Sequence, residues 1–238
     1  MEAIFAPKNI IKKIQGLNKN CVIILGDEPV ISNHIKRDIK NYTDLNNIEY
    51  KLISFDSSNK LDQIKPLFEN TSLFSNKIIF SISIASGRVL EETKKFLVKV
   101  ISENSNDFFI IHFHNSTKEL IKSTWFTKIK ESSIQLEANE PNTQQIQGAI
   151  KARANFYNLS LDDESSSLLS NLSLGNLLAA ENEIIKLSLL GIKNDIDVKE
   201  LISHISNGSK FDSFKLLDYC MSGQIKKTAQ ALSYFEEE

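Results

Sequence analysis

The sequence predicts an α/β protein, with a doubly wound parallel sheet domain over residues 1–140 followed by a helical remainder. Two features predict it. In the first part, short apolar runs alternate with amphipathic stretches, the rhythm of strands joined by the helices that cover them. After Glu140 no convincing strand appears, and apolar residues recur at helical spacing to the end. With 238 residues, 41% of them hydrophobic and 24% charged, the chain is large and apolar enough to bury a sizeable core.

Taken in order, the first strand is Cys21–Leu25 (CVIIL), followed by a Gly-Asp-Glu-Pro turn and a helix from Glu28 to about Tyr42. Further strands fall at Tyr50–Phe55, Lys77–Ile84 (KIIFSISI), Asp107–Phe113 (DFFIIHF) and, more weakly, Ser133–Leu136. Helices near Leu61–Phe68, Leu90–Ile101 and Ser123–Lys130 would cover the sheet. Beyond Glu140-Pro141, helical patterns run over Thr143–Phe156, Asp162–Leu172, Gly175–Leu190 and Val198–His204, with a pair from Phe211 onward. Gly191 and Gly208 punctuate them as caps or turns. The last pattern is still running at Glu236–Glu238, so a further helical segment is expected to be missing.

Charge and cysteine usage narrow the function classes. A net charge of -2 lacks the basic excess of a dedicated duplex-DNA binder. Lys94-Lys95 and Lys226-Lys227, the densest basic pairs, read as solvated helix faces. Two cysteines, Cys21 and Cys220, suggest neither a disulfide framework nor a zinc site, and a cytoplasmic setting fits. No apolar run approaches the roughly 18 residues of a membrane span, so no membrane partner is expected.

The turn after the first strand stands where a P-loop fold holds phosphate. A working loop reads G-x-x-x-x-G-K-[ST]: the second Gly lets backbone N–H groups wrap the phosphates, the Lys neutralises them, and the hydroxyl holds magnesium. Aligned on Gly26, those positions are Ile31, Ser32 and Asn33. This is a degenerate, non-functional loop. An ATPase would also follow its third strand with acidic residues, whereas Ile84 leads to Ala85, Ser86 and Gly87. No nucleotide or other cofactor is expected, and no catalytic residue is found, since a G-x-S-x-G elbow is absent as well.

His112 and His114, two apart on a strand, share one face. That spacing chelates a metal when a third ligand comes near. With no Cys nearby they read as strand-end polar residues, and no metal is expected. Asn70-Thr71-Ser72-Leu73-Phe74-Ser75-Asn76 is different: two large apolar residues, adjacent in sequence, are framed by small polar ones. One short helix or strand cannot easily bury both, because neighbouring side chains diverge. The plainer reading is a helix end capping the core.

Together, ILGDEP at the first turn, SLFSNK before the third strand, TWFTKI before the fifth, and KARANFYNLSLDDE resemble the delta subunit of the bacterial DNA polymerase III clamp loader. The most specific stretch is GNLLAAENEIIKLSLL, with Gly175, Asn176, Glu183, Lys186 and Leu187 at the family's spacing. The resemblance implies an AAA+-like domain (1–140), a small helical lid-like domain (141–209) and the first helices of a collar domain (210–238). It also implies a non-catalytic subunit of a DNA polymerase III complex. Leu73 and Phe74, flanked by Ser72 and Ser75, would wedge into the sliding clamp (beta subunit) and favour its opening. Other implied partners are the motor and delta-prime subunits, in an assembly that the early end would impair; DNA contact would be indirect or weak. Two alternatives stay open: a nucleotide-binding AAA+ ATPase subunit, and a DNA-binding replication accessory module.

Overall fold

The computed structural model describes residues 5–55, 61–69, 77–85, 89–103, 106–114, 116–191, 195–208 and 219–236. By packing, the chain forms two units, Met1–Arg153 and Ala154–Glu238. The division falls inside a helix. The three-domain limits expected from the sequence stay a proposal.

The first unit carries α1 (Ile10–Gly16), β1 (Cys21–Leu25), α2 (Pro29–Leu45), β2 (Glu49–Phe55), α3 (Leu61–Glu69), β3 (Ile78–Ile84) and α4 (Glu91–Glu103). It continues with β4 (Phe108–Phe113), α5 (Lys118–Lys122), α6 (Thr124–Glu131), β5 (Ser133–Glu137) and most of α7 (Ile146–Phe156). The strands form one parallel five-stranded sheet in the order β2-β3-β4-β1-β5. This is the doubly wound sheet expected from the alternating pattern. Interior parallel strands are covered on both faces and so must be apolar throughout. Accordingly β1 and β4 are buried at every position. At the edge, β2 keeps Ile53 and Phe55 buried while Leu52 stays 77% exposed.

Phenylalanines fill much of the sheet core. Phe80 and Phe109 stack with centroids 5.5 Å apart, and Phe113 meets Trp125 and Phe126 edge-on at 5.8 and 5.7 Å. Each such buried side chain contributes about 1.5–3 kcal/mol. Helix α1, which periodicity does not reveal in its 7 residues, buries Ile10, Ile11 and Ile14. Its N-cap residue, Asn9, makes no side-chain cap bond. The Asp38 carboxylate from α2 does that job instead, accepting from Asn9 N and Ile10 N at 3.0 and 2.9 Å.

Connectivity gives the sheet one privileged crevice. The chain leaving β1 crosses to β2 at the far edge, whereas the chain leaving β4 crosses to β5 on the other side of β1. The ends of β1 and β4 therefore flank the switch point where open α/β sheets hold ligands.

The second unit is mainly helical: α8 (Asp163–Leu172), α9 (Leu177–Leu189), α10 (Val198–Gly208) and α11 (Ile225–Glu236). A pair of two-residue parallel strands, β6 (Ser160–Leu161) and β7 (Asp195–Ile196), was not expected from the sequence. They are too short to show a period-2 pattern. The stretch GNLLAAENEIIKLSLL forms α9 and its entry. Gly175 takes φ +76°, Asn176 caps the helix by accepting from Ala179 N at 3.0 Å, and Leu187 is buried. Lys186 Nζ lies 2.7 Å from Glu183 Oε1 on the surface of the same helix. Residues 209–218, which include the expected start of the last helical pair, lie outside the described residues.

Candidate functional site

The turn between β1 and α2 is built from backbone hydrogen bonds to both neighbouring strands. Gly26 N donates to the Phe113 carbonyl at 3.1 Å, and Glu28 N to the Ala138 carbonyl at 2.7 Å. At Gly26 φ is +104°, and an added Cβ would lie 2.5 Å from the Ala138 carbonyl oxygen. Only glycine fits there.

The other three loop positions are no phosphate cradle. Ile31 is fully buried as a core residue, and Ser32 is 5% exposed, with its N–H donating to the Glu28 carbonyl at 3.0 Å as part of the helix. Asn33 is exposed on α2. Glu28 decides the electrostatics. Its carboxylate accepts from Val30 N at 3.1 Å, taking the helix N-terminus that a phosphate would otherwise use, and Pro29 at the first turn offers no N–H.

Beside the turn the structure assembles a group the sequence could not show. His112, next to the end of β4, pairs in register with Ile24, and its Nε2 lies 2.8 Å from the Gly26 carbonyl oxygen. His114 follows β4. Its Nδ1 lies 2.5 Å from Asp27 Oδ1 and its Nε2 2.7 Å from Ser83 Oγ on β3. The two imidazoles have ring centroids 3.9 Å apart. Burial pushes the His112 pKa down to about 4, helped by the charges of Lys36 and His114 and opposed by the Gly26 carbonyl and Asp27. His112 is therefore neutral at pH 7, donating from Nε2 to the carbonyl. Asp27, which the sequence showed only as a turn residue, is the third member of this group.

The wedge residues expected from the sequence, Leu73 and Phe74 with Ser72 and Ser75, lie outside the described residues, as do Ser86 and Gly87. Their described flanks are the end of α3 at Glu69 and Lys77 at the start of β3. Of the basic pairs, Lys94 lies 2.5 Å from Glu91 while Lys95 is exposed. Lys226 and Lys227 are exposed on α11.

No family model matches this chain. It is 22% identical over 212 residues to the DNA polymerase III subunit delta of Escherichia coli, a match covering 88% of this chain and 62% of that protein. It is likewise 22% identical over 230 residues to the subunit of the same name from Haemophilus influenzae, covering 94% of this chain and 66% of that one. The chain thus spans a little under two thirds of the length of the curated relatives it matches. In structure it is similar to the Bacillus subtilis DNA clamp loader delta protein, with a TM-score of 0.69 and 13% identity over 95% of this chain and 70% of the other. Along most of its length, this chain is similar in sequence to DNA polymerase III delta subunits and in fold to a clamp-loader delta protein.

Proposed function

We propose that the chain acts as a delta-type clamp-loader subunit, which grips the sliding clamp and favours its opened form without hydrolysing ATP. The observation that carries this reading is the similarity to delta subunits over 88% and 94% of the chain. The gripping element is the Leu73-Phe74 pair in its polar frame, with Ser72 and Ser75 beside it. Motor and delta-prime subunits are its other proposed partners, and the motor subunits supply the energy. The turn chemistry supports that division of labour, since Glu28 seats a carboxylate where a motor subunit needs a free helix N-terminus. On this reading the domain plan is 1–140, 141–209 and 210–238.

Purified chain is mixed with the sliding clamp of the same cell, and binding is measured by gel filtration and surface plasmon resonance. A saturable complex is the expected result. No binding at tens of micromolar of either partner would overturn the proposal.

A further inference from the structure

We propose that Ser83, His114 and Asp27 form a Ser-His-Asp catalytic triad, in which Ser83 is a nucleophile towards small carboxylic esters at the crevice where β1, β3 and β4 end. The three groups stand in the order that nucleophilic catalysis requires, a hydroxyl on a base and the base on a group that orients it. Ser83 Oγ is 2.7 Å from His114 Nε2, and His114 Nδ1 is 2.5 Å from Asp27 Oδ1. A carboxylate only accepts, so Nδ1 carries the ring proton and Nε2 keeps the lone pair that accepts from the Ser83 hydroxyl. That is the tautomer a general base needs.

The scaffold holds each member through the backbone. His114 N donates to the carbonyl of Ile84 at 3.3 Å, which seats the imidazole beside Ser83, the neighbouring residue of β3. Asp27 sits between two pinned residues: Gly26 N donates to the Phe113 carbonyl at 3.1 Å and Glu28 N to the Ala138 carbonyl at 2.7 Å. His112 ties the same turn to β4 through the Gly26 carbonyl, and its ring lies against that of His114 with centroids 3.9 Å apart. Groups fixed in this way need little rearrangement before they react.

No G-x-S-x-G elbow presents the serine; the strand does so instead. Ser83 is the last residue but one of β3, at the edge where open α/β sheets hold ligands. Ser83 is half-buried, while the side chains of His114 and Asp27 are 32% and 56% exposed, so a small ester can reach the hydroxyl. Lys36 on α2 acts by its charge on both Asp27 and His112, which puts a cation in electrostatic reach of the negative charge that develops in acyl transfer. As Ser83 Oγ bonds to the ester carbonyl carbon, its proton passes to His114 Nε2. The bond to the leaving oxygen then breaks, and that oxygen takes the proton from the ring. Water repeats the sequence on the acyl group, releasing the acid and restoring the Ser83 hydroxyl. This chemistry is independent of clamp binding.

The whole chain is tested with p-nitrophenyl acetate, following nitrophenolate release, and separately with an alkyl fluorophosphonate, which loses fluoride as it bonds to an activated serine. Saturable hydrolysis above the buffer rate is expected, together with a single phosphonyl adduct on the peptide that carries Ser83. Ser83→Ala should abolish the adduct, and Ser83→Ala and Asp27→Asn should each slow hydrolysis by about tenfold or more, the Asn by holding the wrong tautomer. Cys220→Ser, which removes an exposed thiol that could itself be acylated, should leave the rate unchanged. Labelling of the parent needs no variant and so decides the matter even if Ser83→Ala fails to fold. A parent no faster than buffer, an adduct confined to another residue, or hydrolysis undiminished in folded Ser83→Ala would each overturn the proposal.

Discussion

At Gly26 two demands coincide, a left-handed φ of +104° and a carbonyl oxygen 2.5 Å from where a Cβ would sit. Either alone is unfavourable for an L-residue, and the strained backbone costs about 1–3 kcal/mol. Gly26→Ala should therefore lower unfolding free energy by at least about 2 kcal/mol, seen as a lower urea midpoint with an unchanged slope. A change under about 0.5 kcal/mol would mean that the turn relaxes freely. His34, buried on α2 with Nε2 2.7 Å from the Pro7 carbonyl, carries a pH dependence. Burial lowers its pKa from 6.5; Arg153 and Arg37 push the same way, while the Pro7 carbonyl and Asp38 oppose. Because the folded pKa lies below the unfolded one, the unfolded chain takes up the proton first as pH falls. Stability from this residue is complete above about pH 6.5 and is lost as pH drops from there towards the lowered folded value. His34→Gln should flatten the decline in melting temperature between pH 7 and 5. An unchanged slope would assign the acid sensitivity elsewhere.

At the scale of elements, what the sequence revealed tracks length and periodicity. The five strands and the long helices α2, α4 and α9 were legible because continuous apolar runs or helical spacing extend over 5 to 17 residues. Helix α1, with 7 residues, and α5, with 5, were not, and neither were the two-residue strands β6 and β7. The degenerate phosphate loop was readable at Ile31 and Ser32. Its stronger argument, the Glu28 carboxylate on Val30 N, needed coordinates. The Asp27–His112–His114 group was half legible: the two histidines lie two apart at the end of β4, but Asp27 arrives through the parallel pairing of β1 with β4, a contact between residues 85 or more apart in sequence. The β1–α2 element also predicts a negative result. Titrating a fluorescent ATP analogue into the chain should show no saturable binding, because Ile31 belongs to the core and a carboxylate holds the helix N-terminus. Micromolar binding competed by ATP would revive the ATPase-subunit reading.

For the whole molecule the deciding question is whether Leu73 and Phe74 grip a partner or fill the core. Supporting the grip is their polar frame of Asn, Ser and Thr residues. Burying a Leu and a Phe side chain at an interface contributes about 1.5–3 kcal/mol each, so losing both should cost about 3–6 kcal/mol of binding. That is roughly a hundredfold to ten-thousandfold in clamp affinity. The core alternative gives the opposite signature, since truncating two buried side chains would lower folding stability by several kcal/mol while leaving clamp contacts elsewhere intact. A wedge can open a ring only by binding the open form better than the closed one, so Leu73→Ala with Phe74→Ala should lose clamp unloading together with clamp binding. Melting temperature, clamp affinity and unloading rate are to be measured on that one double variant. Unchanged melting with lost binding and unloading is the expected pattern; a destabilised protein that still grips the clamp at parental affinity would place the pair in the core and leave the grip to other residues.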